Sequence, residues 1–385
     1  MIHKIAIISI GVGLAALIIS FLIMMGFQET VKNKIYNFTG NIIITRYSIS
    51  NSPEEQPMNY FIDLYQSPES YPNVSHVQEY AHKTGLAKVE DEILGVMIKG
   101  VGKSFDTAAF RANIIRGKFL SLPDSGYSNQ VVISEIIASK LKTDVGDDII
   151  VHFIQNPPRF RRLEVSGIYE TNLSEYFDSK VMVGDIRLIQ RLNDWSDSLA
   201  GGVEVFLNDP SAVEQTAEDI GKRMDYDLNI ELIQDRYIQI FEWLNLLSRQ
   251  VNILLVIILF VICVNMISIV LILVMERTQM IGMLKAIGAP NGVIRSVFVY
   301  SGVNLIMKGL LLGNMLGLGL CFLQDKFKII KLNARDYYME FVPIGWHWEI
   351  VVVLNILTFI IVTTILLLPT MAISNISPIR SIRFD

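Results

Sequence analysis

Four long apolar runs limit what this chain can fold into. They are Ile5–Phe27, Val251–Met275, Val297–Leu323 and Ile350–Leu368. Each run is long enough to cross the hydrocarbon core of a bilayer, for which a helix needs about 20 residues. Since 51% of the residues are hydrophobic and only 18% are charged, the composition also favours an integral membrane protein.

The first run has a rival interpretation, because Lys4 before an apolar stretch is typical of a secretory signal peptide. The run is longer than the apolar core of such a peptide, and no small-residue cleavage site follows Phe27. We therefore interpret it as a membrane helix.

From about Gln28 to Arg249 the sequence changes to the pattern of a soluble domain, and this stretch is long enough to bury a core. Asn41–Thr45 and Ile149–Ile154 are rich in β-branched residues and predict strands, and Ser134 is placed to cap a helix. The sequence therefore predicts a membrane protein with four transmembrane α-helices and a large α+β domain between the first and second helices; the resemblance described below implies that this domain is extracytoplasmic.

The end of this domain is predicted to be a helical stalk. From Gln234 the helical pattern continues, without proline or glycine, into the second apolar run. Because only about 20 residues are needed inside the bilayer, a continuous helix would project well beyond it.

The third run contains two unusual features. Gly309, Gly313 and Gly317 recur at every fourth position, a spacing that lets a second helix pack closely. Lys308 lies near the centre of the run, where a lysine costs about 3 kcal/mol on insertion scales. Its side chain either extends toward the lipid headgroups or faces a polar cavity.

The segment Glu276–Pro290, between the second and third runs, has the pattern of a short amphipathic helix. Its apolar stripe is formed by Met280, Met283 or Leu284, and Ile287, and the charged residues outside that stripe are Glu276, Arg277 and Lys285. Gly288 and Pro290 are placed to end the helix. Such a helix either lies among lipid headgroups or docks to a soluble partner.

No motif in the sequence indicates catalysis by this chain. Gly100–Ser104 ends like a phosphate-binding loop, but Met97 stands where that pattern requires a glycine, so we interpret the segment as a turn after a strand. The histidines form no paired metal-ligand motif, and a net charge of −5 gives no basic surface for nucleic acid. We expect no metal site and no catalytic residue.

Two motifs, together with this order of helices, resemble the FtsX-like permeases of ATP-binding-cassette (ABC) transporters. The run Glu-Arg-Thr-Gln-Met-Ile-Gly-Met-Leu-Lys-Ala-Ile-Gly-Ala at Glu276–Ala289 is similar to that family's cytoplasmic coupling helix. The ending Pro-Ile-Arg-Ser-Ile-Arg-Phe-Asp, within Ser374–Asp385, is similar to its C-terminal signature. Val96–Val101, Val131–Val151 and Leu163–Tyr169 look most like the lipoprotein-releasing permeases LolC and LolE.

The resemblance implies a protein of the bacterial inner membrane with its large domain in the periplasm. In chain order, the implied segments are transmembrane helix 1 (1–27), the periplasmic α+β domain with its C-terminal stalk (28–249), transmembrane helix 2 (250–275), the cytoplasmic coupling helix and loop (276–295), transmembrane helix 3 (296–323), a short periplasmic loop (324–348), transmembrane helix 4 (349–369) and a cytoplasmic tail (370–385).

The resemblance also implies partners and residue roles. A separate ABC ATPase, which carries the ATP and Mg, would dock in two copies to the coupling residues Glu276, Arg277, Met280, Ile281, Leu284, Lys285, Ile287 and Gly288. Acyl chains of a lipoprotein would enter between the first two membrane helices, along Met24, Met25, Phe27, Leu254 and Ile258. The glycine row of the third run would pack helices. The other expected partners are a second permease, identical or sister, membrane lipid and a periplasmic lipoprotein carrier.

Two features depart from the family pattern. The family usually carries a cytoplasmic segment before the first span, whereas this span begins almost at Lys4. In the relative that recruits a carrier, a long hairpin joins the strands that correspond to Ile149–Ile154 and Leu163–Tyr169, and here the connection is only Gln155–Arg162. Two other functions stay open: a MacB-like mechanotransmission exporter of peptides or small molecules, and an FtsX-like regulator of a cell-wall hydrolase that transports nothing.

Overall fold

The computed structural model describes residues 2–48, 52, 54–173 and 177–370, which form two compact units. The helical unit comprises the described residues of Met1–Thr30, Glu242–Leu332 and Phe341–Asp385. The globular unit comprises those of Val31–Phe241 and Asn333–Glu340.

Four of the α-helices are long and apolar enough to cross a membrane, which confirms the prediction of four apolar helices. In chain order the described helices are α1 (Ile2–Thr39), α2 (Asp63–Gln66), α3 (Thr107–Arg111), α4 (Glu135–Leu141), α5 (Ile186–Asn193), α6 (Val213–Gly221), α7 (Ile233–Arg236), α8 (Ile238–Glu276), α9 (Thr278–Ala286), α10 (Asn291–Phe327), α11 (Ala334–Tyr337) and α12 (Trp348–Thr370). The four long ones are α1, α8, α10 and α12. The predicted tail 370–385, with the signature Ser374–Asp385, lies outside the described residues beyond Thr370.

The globular unit is built on a ten-stranded sheet with the order β12-β1-β11-β3-β4-β9-β6-β8-β5, in which β7 pairs with β3 and β8. The strands are β1 (Ile42–Arg46), β2 (Met58–Asn59), β3 (Val74–Val89), β4 (Glu92–Val101), β5 (Ile114–Gly117), β6 (Gln130–Ser134), β7 (Asp148–Phe153), β8 (Arg159–Tyr169), β9 (Val181–Asp185), β10 (Leu199–Ala200), β11 (Gly202–Leu207) and β12 (Leu228–Leu232). Separately, β2 pairs with β10.

Two short helices of this unit, α4 and α5, begin where the sequence places a capping side chain. Ser134 Oγ accepts a hydrogen bond from the backbone N–H of Ile137 at 3.0 Å, and Asp185 Oδ1 accepts one from that of Arg187 at 2.9 Å. These bonds satisfy N–H groups that have no partner within the first turn of a helix. The apolar faces of α4 and α5 then join the core of the sheet.

The centre of the sheet is a long hairpin of β3 and β4, of which the sequence pattern indicates only part of β4. Tyr80 pairs with Val101 at one end of the hairpin, and Val89 pairs with Glu92 at the other. Polar residues such as Lys99, only 2% exposed, interrupt the apolar pattern here. Lysines usually lie on the surface, so the sequence pattern does not predict a buried one. The strand tolerates Lys99 because its ammonium group pairs with Glu204 inside the unit.

The prediction of one unbroken helix from Gln234 is wrong in one respect. The helix is interrupted at Tyr237. α7 ends at Arg236, and α8 begins at Ile238. The backbone of Tyr237 leaves the helical region, with φ −109° and ψ 39°. Its ring packs edge-on against Phe177, with 5.5 Å between ring centroids. This tertiary contact accounts for a break that helical periodicity does not reveal.

Within the helical unit, α10 packs closely against α1 along its glycine row. Cβ atoms built on Gly309 and Gly313 would lie 2.7 and 2.8 Å from the Cβ atoms of Ile10 and Leu14. Gly317 lies against the same helix. At these distances a side chain on α10 would push the two helices apart, so the glycines permit the contact.

The α10–α12 contact contains a polar pair that the sequence analysis missed. The amide of Asn314 donates to Asn355 Oδ1 at 2.7 Å, and the amide of Asn355 donates back to Asn314 Oδ1 at 3.0 Å. A reciprocal amide pair satisfies both side chains where no water is available and fixes the register of the two helices.

Candidate docking site

The short helix α9 ends in a motif that fixes the direction of the following chain. Gly288 adopts φ +93°, a left-handed conformation that favours glycine. Its N–H donates to the carbonyl of Lys285 at 3.0 Å, and the N–H of Ala289 donates to that of Leu284 at 2.9 Å. These two bonds form a Schellman motif, and Pro290 then precedes the first residue of α10.

One side of α9 is fastened to the helical bundle. Ile281 is fully buried in the same apolar cluster as Val274 and Ile294, and Met280 packs against that cluster. Ile281, which was expected among the ATPase-coupling residues, therefore has no surface free for a partner. Its burial anchors α9 to the bundle.

The other side of α9 exposes three apolar side chains. Met283 is 55% exposed, Leu284 37% and Ile287 85%. We call these three residues the α9 patch. An apolar patch on a short helix is typical of a surface that fits the groove of another protein.

Charged residues precede the α9 patch in the chain and lie within it in sequence. Glu276 and Arg277 are exposed at the junction of α8 and α9, and Lys285 is half-buried beside the patch. Arg277 is the one residue between the two helices. The expected groove residues Leu284 and Ile287 therefore lie outward, and Met280 lies partly inward.

The five residues expected to line a substrate path occupy different environments in the helical unit. Met24 and Phe27 are each only 8% exposed, and Phe27 packs edge-on against Trp243 with 5.5 Å between ring centroids. Met25 and Ile258 are half-buried, and Leu254 is exposed. Leu254 is therefore exposed on the helical unit, whereas the chain's own residues cover Met24 and Phe27.

Polar contacts join α1 to two other segments of the helical unit, and the sequence analysis did not identify them. Gln28 Nε2 donates to the carbonyl of Leu244 at 2.8 Å and to Ser248 Oγ at 2.5 Å. His347 Nε2 lies 2.6 Å from Glu29 Oε1. One signal in the sequence could have indicated the Gln28 contacts: Gln28 is a polar residue directly after an apolar run.

Two other sequence features have defined positions. Gly102 and Lys103 follow the end of β4, and a Cβ atom on Gly102 would overlap Glu79, while Lys103 Nζ pairs with Asp124 at 2.6 Å. This geometry fits the interpretation as a turn after a strand. Lys308 is exposed on α10, and among the described residues none forms a hydrogen bond or ion pair with it. The described residues also contain no group of three metal-ligating side chains.

Comparison with known protein families identifies two regions of the chain. Residues 5–223 match the family model described as the MacB-like periplasmic core domain, and residues 252–378 match that of the FtsX-like permease C-terminal region. Together the two matches cover α1 from Ile5, the described sheet except β12, α8 from Asn252, and the helices α9 to α12.

Individual relatives are distant but extend over most of the chain. The lipoprotein-releasing system transmembrane protein LolE of Haemophilus influenzae is 23% identical over 90% of this chain and 86% of its own length. The protein LolC of the same system in Xylella fastidiosa is 23% identical over 99% of this chain and 93% of its own length. The crystal structure of the periplasmic region of MacB from Actinobacillus actinomycetemcomitans aligns with 56% of this chain and 98% of its own, with 15% identity and a TM-score of 0.37.

Proposed function

The chain belongs to the family of FtsX-like permeases with a MacB-like periplasmic core domain, and we propose that it is the membrane subunit of an ABC transporter that extracts lipoproteins from the bacterial inner membrane. A separate ATPase, which carries the ATP and Mg, docks to it in two copies. The observation that carries the proposal is the α9 patch, an apolar surface on a helix that is itself anchored in the bundle. The relatives named as lipoprotein-releasing proteins support the choice of substrate.

In this proposal, motion of the ATPase enters the chain through α9. Arg277 alone separates α9 from α8, and residues 287–290 separate it from α10. Ile281 holds the inner side of α9 in the bundle core. When the ATPase closes on the α9 patch, a displacement of α9 therefore moves both adjoining helices.

The proposed function requires one arrangement of the chain across the membrane. Spans at 1–27, 250–275, 296–323 and 349–369 are even in number, so both termini and α9 lie on one side of the membrane. With α9 in the cytoplasm, the sheet lies in the periplasm, and residues 28–249 form the periplasmic domain between the first and second spans.

The proposed path for acyl chains runs between α1 and α8. Leu254 is its exposed entry residue, and Met24, Met25, Phe27 and Ile258 line it when the helices separate. Methionine side chains suit this role because they are flexible and adapt to varied apolar shapes.

A second permease, identical or sister, completes the proposed transporter. A periplasmic carrier would take up the released lipoprotein. The connection between β7 and β8 comprises only residues 154–158, so we propose no hook for the carrier at this hairpin.

The double variant Leu284→Asp, Ile287→Asp tests the docking surface. Two carboxylates in place of exposed apolar groups should abolish co-purification of the ATPase, because a charge in a desolvated groove is strongly unfavourable. The matched control is Ile154→Asp, Phe160→Asp, which changes two residues of the globular unit that are 81% and 64% exposed. The control should retain the ATPase. Retention by both variants would refute docking at the α9 patch.

Topology and substrate need separate measurements. A membrane-impermeant maleimide added to intact spheroplasts should label Tyr226→Cys, at a fully exposed position of the globular unit, and should not label Ile287→Cys. A photo-cross-linker at Leu254 should capture acylated lipoprotein, whereas one at Val353, 59% exposed on α12, should capture only bulk lipid. Equal capture at both positions would contradict the path. Capture of a peptide or of a cell-wall hydrolase would favour the exporter or the regulator.

A further inference from the structure

Two segments of the globular unit that continue into the long helices meet at one aromatic side chain. These segments are the end of α1, from Val31 to Thr39, and the chain that leads into α8, from Tyr237 to Phe241. The ring of Phe177 lies 4.4 Å from that of Phe38 on α1 and 5.5 Å from that of Tyr237, the residue before α8.

The two segments also contact each other directly. The rings of Tyr36 on α1 and Phe241 on α8 lie 5.9 Å apart. Phe38 belongs to a wider aromatic cluster that includes Phe110 and Tyr169, at 6.0 and 6.1 Å. Aromatic pairs at such distances contribute beyond their buried area and restrict the orientation of each ring.

A buried ion pair fastens the end of α1 to the sheet. Lys99 of β4 and Glu204 of β11 are 2% and 1% exposed, and Lys99 Nζ lies 2.7 Å from Glu204 Oε1. Lys99 Nζ also donates to the carbonyl oxygen of Phe38, in the last turn of α1, and lies 4.9 Å from the centroid of the Phe38 ring. The last carbonyls of a helix lack partners within the helix and carry its negative dipole end, so a cation stabilises them.

Two further sets of hydrogen bonds hold this region. One fixes Glu204, the partner of Lys99, and the other fastens α1 one turn earlier. Gln78 Nε2 donates to the second oxygen of Glu204 at 2.7 Å. One turn earlier on α1, Lys34 Nζ donates to the carbonyls of Thr171 and Tyr338 at 2.8 and 2.9 Å. The end of α1 is therefore held by two lysines and by an aromatic cluster that also holds the start of α8.

We propose that Lys99, Glu204 and Phe177 are positioning residues that keep α1 and α8 at a fixed spacing on the sheet, and we call these three residues the helix joint. Because the joint is buried and closely packed, its parts cannot slide past one another without leaving a buried charge unpaired. Motion of the two helices therefore reaches the periplasmic sheet as one displacement. This inference rests on the proposed function only in assigning a transport role to that displacement.

The double variant Lys99→Met, Glu204→Gln removes the cation from the end of α1, while the amide oxygen that replaces the carboxylate still accepts from Gln78. Phe177→Leu, as a second variant, removes the ring that contacts both Phe38 of α1 and Tyr237, the residue before α8. Spin labels at Asn37→Cys on α1 and Gln239→Cys on α8, both at exposed positions, report the spacing in the full complex after replacement of Cys263 and Cys321. The unaltered joint should give one narrow distance distribution with and without nucleotide, and each variant should broaden it.

The coupling readout is the amount of lipoprotein released per ATP hydrolysed. We expect it to fall about five-fold in each variant while the ATPase rate stays within about two-fold, which is the size of effect expected for loss of one coupling element. Ile133→Ala, a fully buried position of β6, controls for a loss of stability and should leave the ratio unchanged.

If both variants keep a narrow distribution of spin-label distances, the helix joint does not fix the spacing of α1 and α8. If the distribution broadens but the lipoprotein released per ATP is unchanged, the joint does not couple their motion to release. If the unaltered complex releases no lipoprotein, the proposed substrate is wrong. The distance measurement then still decides whether the joint fixes the spacing.

Discussion

Replacing Gly313 by valine should separate α10 from α1. A Cβ atom at this position would lie 2.8 Å from Leu14 Cβ and 2.9 Å from the backbone oxygen of Gly11. Carbon atoms pack best about 3.5–4.0 Å apart, so the helices must move by nearly 1 Å, and a gap of that size forfeits a quarter to a half of each neighbouring contact energy. Because one obstacle is backbone, rotating a side chain cannot relieve the clash.

Overpacking of this kind costs about 1–3 kcal/mol, whereas replacing a helical glycine by valine recovers only a few tenths of a kcal/mol in helix propensity. We therefore expect Gly313→Val to destabilise the purified protein by about 1–3 kcal/mol, measured as loss of monodisperse protein on heating in detergent.

Gly319→Val provides the matched control, because it lies on the same helix with nothing within 4 Å of its added Cβ. It should leave stability unchanged within about 0.5 kcal/mol. In the Gly313→Val background, Leu14→Ala should cost less than it does alone, because it removes Leu14 Cδ2, which would lie 3.0 Å from the added Cβ. Equal destabilisation by the two valines, or strict additivity with Leu14→Ala, would refute close packing along the glycine row.

Three further predictions concern other parts of the chain. Gly288→Ala should strain the end of α9 at its φ of +93° and reduce ATPase binding several-fold in a pull-down. Burial opposes ionisation of Glu55, but its interaction with His82 and hydrogen bonds to backbone amides outweigh burial and lower its pKa. Its contribution to stability is therefore lost as pH falls below about 4, and Glu55→Gln should flatten the acid side of a thermal-stability profile. A double-mutant cycle on Asn314 and Asn355, each changed to leucine, should give a coupling energy of about 0.6–1.7 kcal/mol in unfolding measurements.

Each of these predictions has a result that would contradict it. Gly292→Ala, at an open position in α10, should bind the ATPase normally, and equal losses in it and Gly288→Ala would rule out strain at the end of α9. If thermal stability falls with decreasing pH in the same way in Glu55→Gln and in the unaltered protein, Glu55 does not contribute to the loss of stability in acid. Additive effects of the two leucines would show that the asparagines do not support each other.

The local elements of the globular unit were largely readable from the sequence, and its centre was not. β1, β7 and α4 lie where β-branched runs and the Ser134 cap predict them, because capping and alternation are short-range effects. The hairpin of β3 and β4 was mostly missed, because its inward residues include Lys99. A pattern of residue types assigns a lysine to the surface unless its buried partner is known.

At the candidate docking site, too, the sequence predicts the local element but not its contacts. Its apolar stripe and its Gly288 and Pro290 ending predicted a short helix with a defined stop, and the structure has α9 at Thr278–Ala286. Periodicity alone did not show that Ile281 points into the bundle while Ile287 remains exposed, because several helices in contact determine which part of an apolar stripe is covered.

The sequence by itself determined that the chain has four apolar helices, that a less apolar segment follows the first of them and that a short amphipathic helix lies between the second and third, because hydropathy and helix stops depend only on neighbouring residues. The tertiary structure alone decided the break at Tyr237, the meeting of α1 and α8 at Phe177 and the pairing of Lys99 with Glu204. These features join residues that lie far apart in the chain, and a buried charge or ring is stable only where the fold brings its partner within contact distance.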